Sequence, residues 1–185
     1  DSRVSRGLGD VYKRQSDNYK TDLFKEIIET TANTLNESNL ENPSLRVIAD
    51  HLRSSVFLIS DGVNPSNEGR GYVLRRIIRR ALTHAYKINN EKDFSFSDIF
   101  DSLESSLLDV YPEVKSKKTF ILEELKSEED QFRVTLRQGM SLLEQEIKES
   151  KNNTLSGEVI FKLYDTFGFP VCLLYTSDAA DDTCC

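Results

Sequence analysis

The sequence is poor in the residues that build disulfide frameworks and metal centres. It contains three cysteines and two histidines, and the cysteines all lie close to the C-terminus, at Cys172, Cys184 and Cys185. Neither His51 nor His84 has a cysteine or a second histidine at ligand spacing, which argues against a zinc site. No stretch approaches the roughly 18 consecutive apolar residues of a membrane span, and the N-terminus lacks the apolar core of a signal peptide. These absences favour a cytoplasmic protein without membrane contact.

The overall composition is that of an ordinary globular domain. Hydrophobic residues make up 38% and charged residues 30% of the 185 positions, which is too apolar for a disordered chain. The length suits one domain with a sizeable core. The formal net charge of −7 by itself argues weakly against a nucleic-acid partner, so the local distribution of charge has to decide.

The two ends differ from the rest of the chain. Residues 1–15 and 172–185 show neither a helical nor a strand period, and both resemble translated read-through of sequencing adapters. We interpret both as non-native tails and exclude them from fold reasoning; a genuinely disordered terminus is the alternative. The tails carry +2 and −3, which leaves −6 of the total −7 on residues 16–171, the predicted domain.

Between the tails the apolar residues recur at three- and four-residue steps, which predicts an all-α fold. We expect a helical bundle with one long helix or helical arm. A coiled coil is a weaker alternative, because its seam would last only about three heptads. The predicted helices run from Thr21 or Asp22 to about Asn36, from Pro43 to Asp61, from Tyr72 to Ile88, from Asp98 to Leu108, from Pro112 to about Glu149, and from Ser156 to a stop at Gly168 and Pro170.

The third predicted helix is strongly basic on one side. Six basic residues and one acidic residue lie between Asn67 and Lys87, a local charge of +5. On a helical wheel one arc contains Arg75, Arg76, Arg79 and Arg80 together with Tyr72, and the opposite arc is apolar. Arginine forks pair with phosphate oxygens, so the face is typical of binding to a sugar–phosphate backbone.

Two other interpretations of this helix are open. The basic face is either solvated, with acidic partners on neighbouring helices, or it lies on a membrane surface. The membrane interpretation is the weaker one, because the apolar arc has no Trp or Phe to anchor it. A solvated face is the ordinary state of a charged helix, and the arginine-only run with a glycine-containing loop before it favours an anionic partner instead.

Four segments, in order along the chain, resemble the alanyl-tRNA synthetases. They are NYKTDLF at 18–24, RVIADHLRSSVFLISDGVNPSNEGRGYVLRRIIRRA at 46–81, EEDQFRVTLRQGMSLLEQEI at 128–147 and FKLYDTFGFPV at 161–171. The second of these is the most specific. The resemblance implies an alanine–tRNA ligase, which joins alanine to its tRNA with ATP and magnesium through an alanyl-adenylate.

The resemblance also implies which part of such a ligase is present. The class II catalytic sheet precedes Asn18 in the family, and the zinc-containing editing domain follows the last matched segment. The segment is therefore identified as the helical domain that reads the tRNA acceptor stem, without a cofactor of its own and inactive alone. Its expected partners are the acceptor stem of alanine tRNA and the catalytic domain of the same parent chain.

The resemblance assigns roles to individual residues. Asn67 and Asp165 match positions that sense a G·U pair in the stem, and we expect the basic helix to contact the RNA through Arg70, Tyr72, Arg75, Arg76, Arg79 and Arg80. By their position alone, Asn67 is the N-cap of the basic helix and Asp165 a polar residue at a helix end. His51 is expected to be buried and structural, and His84 to lie at a boundary. The alternative function is a non-catalytic helical scaffold that binds a protein through an apolar stripe between Leu125 and Ile147.

Overall fold

The computed structural model describes residues 17–89, 94–107, 110–149, 155–165 and 169–170, without the side chains of 104–107, 149 and 165. All regular secondary structure in these residues is helical, which confirms the predicted all-α fold. After a short 3₁₀ helix at Asn18–Lys20, the helices are α1 (Asp22–Leu35), α2 (Pro43–Ser60), α3 (Gly69–Ile88), α4 (Ser97–Leu107), α5 (Pro112–Ser116), α6 (Lys118–Glu149) and α7 (Gly157–Asp165). Both predicted tails lie outside the described residues.

The ends of α2 follow from local sequence signals. The Asn42 side chain accepts a hydrogen bond from the Ser44 amide at 3.0 Å, and Pro43 occupies the first turn, where its missing N–H costs nothing. At the other end Asp61 is the C-cap and Gly62 takes a positive φ of 85°. This left-handed geometry suits glycine and stops the helix where the Asp61–Gly62 pair predicts it.

Helix α2 is the centre of the core. It packs against both α1 and α3, through side chains that are completely buried. The central ones are Ile48, Leu52, Ile59, Leu74 and Ile78. Burial of each such side chain stabilises the fold by roughly 1.5–3 kcal/mol, so the α2–α3 contact holds the basic helix on a rigid support.

The long predicted helix is interrupted once. Instead of one run from Pro112, the chain forms α5 and then α6, with a break at Lys117. The Lys117 ammonium donates to the Ser60 carbonyl at 2.5 Å, at the C-terminal end of α2, where a cation is favourable. Helix α6 continues unbroken for 32 residues, about 48 Å at 1.5 Å per residue, so the described chain has a single long helix here.

Candidate RNA-binding surface

Helix α3 carries the candidate surface and begins earlier than predicted. It starts at Gly69, with Glu68 at the N-cap position, so Asn67 is not the cap of this helix. Leu74, Ile78 and Ala81 are buried, as the apolar arc predicts. Because α2 covers that arc, the opposite side of α3 is free to face α6 and solvent.

Four of the five arginines of α3 fall into two groups, and the fifth, Arg80, is half-buried. Arg70 and Arg76 are exposed, and the Arg76 guanidinium lies 5.9 Å from the ring centre of the exposed Tyr72. Arg75 and Arg79 turn towards α6, with side chains 19% and 21% exposed. The sequence groups Tyr72, Arg75, Arg76 and Arg79 on one face, and the structure divides that face into a solvent-facing part and a part that contacts α6.

Glu128 of α6 joins the second group. Its carboxylate is 3% exposed, and each oxygen accepts from a different arginine: Oε2 from Arg75 Nε at 3.0 Å and Oε1 from Arg79 Nε at 2.6 Å. Hydrogen bonds between charged groups are short and strong, and removing one partner leaves buried charge uncompensated. Glu128 therefore fixes α3 against α6.

Arg75 connects this ion pair to Asn67. Its Nη1 donates to Asn67 Oδ1, and its Nη2 donates to Gln131 Oε1 at 3.4 Å. A guanidinium can only donate, so the amide oxygen of Asn67 faces Arg75 and its Nδ2 is turned away. The Asn67 side chain thus has a defined orientation at the exposed start of α3.

The loop before α3 is closely packed. A β-carbon on Gly71 would lie 2.2 Å from Ser66 Oγ and 2.3 Å from the Asn64 carbonyl oxygen, distances that no side chain tolerates. Gly69 has a positive φ of 57°, which favours glycine. The two glycines allow the loop to fold back on the first turn of α3 and hold Asn67 beside it.

The second predicted base-reading residue ends α7. The side chain of Asp165 lies outside the described residues, but the segment that carries it is held at both sides. Leu163 is buried, and its carbonyl accepts from the Phe169 amide at 2.9 Å. The Phe169 ring in turn contacts the backbone of Gly139 on α6.

Helix α6 contacts both α3 and Phe169, the residue that packs on Gly139. Glu128 and Gly139 are eleven residues apart, which at about 100° per residue places them only about 20° apart on the helix. Their separation along the axis is about 16.5 Å. The contacts of α3 and of the segment after α7 therefore lie on the same face of α6, one behind the other.

Sequence reasoning missed Glu128 and Gln131. In the sequence Glu128 looks like one more charge in the Glu128–Asp130 run. The available signal was its spacing: it lies three residues after Leu125 and four before Phe132, both of which are buried. A carboxylate on the apolar face of a helix indicates a buried polar contact, although its partners on α3 could not be read from the sequence.

Two titratable groups near the candidate RNA-binding surface, Glu129 and His51, have shifted pKa values. Burial raises the pKa of Glu129, although its carboxylate accepts from the Phe96 amide and the Ser95 hydroxyl, each at 2.8 Å. Burial lowers the pKa of the partly buried His51, and nearby Arg80 lowers it further, against the opposing effect of Asp50. His51 is half-buried, so it is less enclosed than the buried position predicted for it, and its structural role stays a prediction.

His84 lies between the two faces of α3. It is half-buried, and its Nδ1 is 2.9 Å from Ser44 Oγ at the start of α2. This is the boundary position that the helical wheel indicates.

The described residues contain neither a cluster of metal ligands nor a membrane-spanning helix. Within them, no three His, Cys, Asp or Glu side chains come together to hold a metal ion. Nor is any described helix both long and apolar enough to cross a membrane.

Comparison with known proteins gives the family. The family model of the class II (A) tRNA synthetases matches residues 5–183, so the match extends into both terminal segments. The chain therefore belongs to the class II tRNA synthetases.

Similar proteins within this family are alanine–tRNA ligases. The chain is 47% identical to the alanine–tRNA ligase of Idiomarina loihiensis over 97% of its length, and 50% identical to that of Psychromonas ingrahamii over 88%. The alanine–tRNA ligase of Neisseria meningitidis is 50% identical over 86% of the chain. The chain covers 21%, 18% and 18% of these relatives, about a fifth of their length.

Proposed function

We propose that the chain is the part of an alanine–tRNA ligase that binds the acceptor stem of alanine tRNA and senses its G·U pair. One observation carries this proposal: a basic helix on a rigid support begins beside an oriented Asn67, and α6 links it to the segment that contains Asp165. An RNA stem offers phosphates in series and base edges in a wide, shallow minor groove. Both kinds of contact suit this arrangement.

The proposed contacts divide by exposure. Arg70 and Arg76 face solvent, so they bind phosphates directly, and Tyr72 beside Arg76 packs on the sugar–phosphate backbone. Arg75, Arg79 and Arg80 are partly buried. Their charge adds to the positive potential of the exposed arginines, and those of their N–H groups that are not used within the chain donate to the RNA. Asn67 and Asp165 are the residues proposed to read the base edges.

The scaffold alternative is less well supported. It requires an exposed apolar stripe from Leu125 to Ile147, but Leu125 and Phe132 are buried in the core. Leu136, Met140 and Leu143 are half-buried, and of the stripe positions Ile147 alone is exposed, at 46%. Val134 is exposed too, at 51%, but it lies on the opposite face of the helix, about 180° from Leu125. A partner protein would therefore find little of the stripe accessible. The basic face of α3, in contrast, retains its exposed arginines.

The activity of the parent protein is a further part of the proposal. The ligase reaction, with ATP and magnesium, belongs to the full-length protein, as does the zinc of its editing domain. The described part of this chain contains helices only, whereas the catalytic motifs of class II synthetases lie on an antiparallel sheet. We therefore propose that the chain alone binds RNA without activating alanine.

A binding measurement tests the function. Fluorescence anisotropy compares the chain with two acceptor-stem hairpins that differ only in a G·U or G·C pair, and with an unrelated hairpin of the same length. We expect tighter binding to the G·U hairpin than to either of the others. Equal affinity for all three would refute reading of the pair, and absence of binding at low salt would refute the RNA-binding function.

A further inference from the structure

Glu128 is a buried carboxylate, which is unusual for a charged side chain. It lies between two arginines of the helix whose positive charge the proposed RNA partner needs, and it neutralises part of that charge. A buried ion pair rarely stabilises a fold more than apolar side chains of the same size would. Gain in stability is therefore a weak explanation for Glu128, and what it does to the arginines is a stronger one.

The orientation of Asn67 depends on two successive contacts, one between Glu128 and Arg75 and one between Arg75 and Asn67. Glu128 engages Arg75 through Nε, and because the guanidinium is planar and rigid, this contact also fixes the directions of Nη1 and Nη2. Nη1 then donates to the amide oxygen of Asn67. Without the carboxylate, the Arg75 side chain can rotate towards solvent and Asn67 loses its donor.

We propose that Glu128 is a positioning residue for recognition of the stem: through Arg75 it holds the Asn67 amide with its oxygen inward and its N–H donors towards the RNA. This inference rests on the proposed stem-binding function. In this arrangement Asn67 donates a hydrogen bond to an acceptor atom of the base pair or ribose. The free guanine amine then donates to a carboxylate such as that of Asp165.

The neighbouring residue supplies a matched control. Glu129 is also buried on α6, but its carboxylate accepts from Phe96 and Ser95 at the start of α4 and not from α3. Glu128→Gln and Glu129→Gln thus make the same chemical change at adjacent buried positions. Only the first alters the contacts of Arg75.

The experiment combines two readouts on the 185-residue chain. Side-chain amide signals of Asn67 in ¹⁵N NMR spectra report its orientation without RNA, and anisotropy with the G·U and G·C hairpins reports discrimination. For Glu128→Gln we expect shifted Asn67 signals and a roughly tenfold loss of discrimination. Affinity for the G·C hairpin should not fall, because a negative charge beneath the arginines is removed. Glu129→Gln should leave both readouts as in the wild type.

A second variant covers the case in which Glu128→Gln does not fold. Arg75→Lys retains a cation for Glu128 but has no fork with which to reach Asn67, so it should show the same two changes. Unchanged Asn67 signals, or unchanged discrimination in a wild type that discriminates, would overturn the inference. A wild type without any preference would instead refute the proposed function and the recognition role with it, while the Asn67 signals would still decide whether Glu128 orients the amide.

Discussion

The Phe169 ring packs so closely on Gly139 that a β-carbon at position 139 would lie 2.3 Å from Phe169 Cδ2. Phe169 is 1% exposed, so the ring has little room to move aside. Glycine in the middle of a helix costs about 1 kcal/mol relative to alanine. At this position the glycine is needed because the ring comes so close, and the contact holds Phe169 on the long helix α6.

We expect Gly139→Ala to weaken this contact by about 1–3 kcal/mol, the usual cost of overpacking, despite the better helix propensity of alanine. Hydrogen exchange of the α7 amides measures the effect locally. Gly157→Ala is the matched control, because a β-carbon there meets nothing within 4 Å. The double variant with Phe169→Ala should lose the clash, and slower α7 exchange in Gly139→Ala than in the wild type would contradict the packing.

Glu129 should make stability depend on pH. Its pKa is raised by burial above the ordinary 4.5, so the folded chain binds the proton more tightly than the unfolded chain does. The resulting stabilisation is complete below pH 4.5 and is lost as the pH rises through the raised pKa. Urea unfolding between pH 4 and 7 should show the stability of the wild type falling relative to that of Glu129→Gln. Parallel curves would show that Glu129 titrates normally.

The two histidines permit a direct titration of His51. Burial lowers its pKa below 6.5, so the unfolded chain takes up the proton first and stability decreases as the pH falls below that value. The Hε1 resonance of His51, assigned by comparison with His84→Gln, should titrate with a midpoint below 6.5. A midpoint above that value would mean that Asp50 outweighs the burial of the ring.

Local signals in the sequence predict the helices well but not their contacts. Pro43 at the start of α2 and Gly62 just after its end are local signals, so the sequence alone predicts both ends of this helix. Lys117, at the break, donates to the Ser60 carbonyl, and Arg75 donates to Glu128; both contacts join residues more than fifty positions apart. The sequence therefore predicts which arginines share a face of α3, while the packing of α6 against α3 determines which of them contact α6.

The chain alone should not activate alanine. The family resemblance places the adenylate-forming motifs outside this segment. Alanine-dependent exchange of pyrophosphate into ATP measures the first step of the ligase reaction. We expect no exchange above the background without protein, and measurable exchange would show that the segment contains a complete catalytic site.

The last prediction separates phosphate contacts from base contacts. Arg76→Ala removes an exposed cation from α3, so it should weaken binding to the G·U and G·C hairpins alike. It should also flatten the dependence of log affinity on log salt by about 0.7–0.9, the release of roughly one counterion. Arg137→Ala is the matched control: it is exposed on α6 and lies nine residues from Glu128, about 180° around the helix. It should change neither quantity.

Asn67→Ala and Asp165→Ala should behave in the opposite way. Base contacts carry discrimination and phosphate contacts carry bulk affinity, so these variants should lose about 1–3 kcal/mol of preference for the G·U hairpin with almost the same salt slope. Binding isotherms at four or more salt concentrations give both values for every variant. If Arg76→Ala lost discrimination while Asp165→Ala lost only bulk affinity, the roles assigned to α3 and to the end of α7 would have to be exchanged.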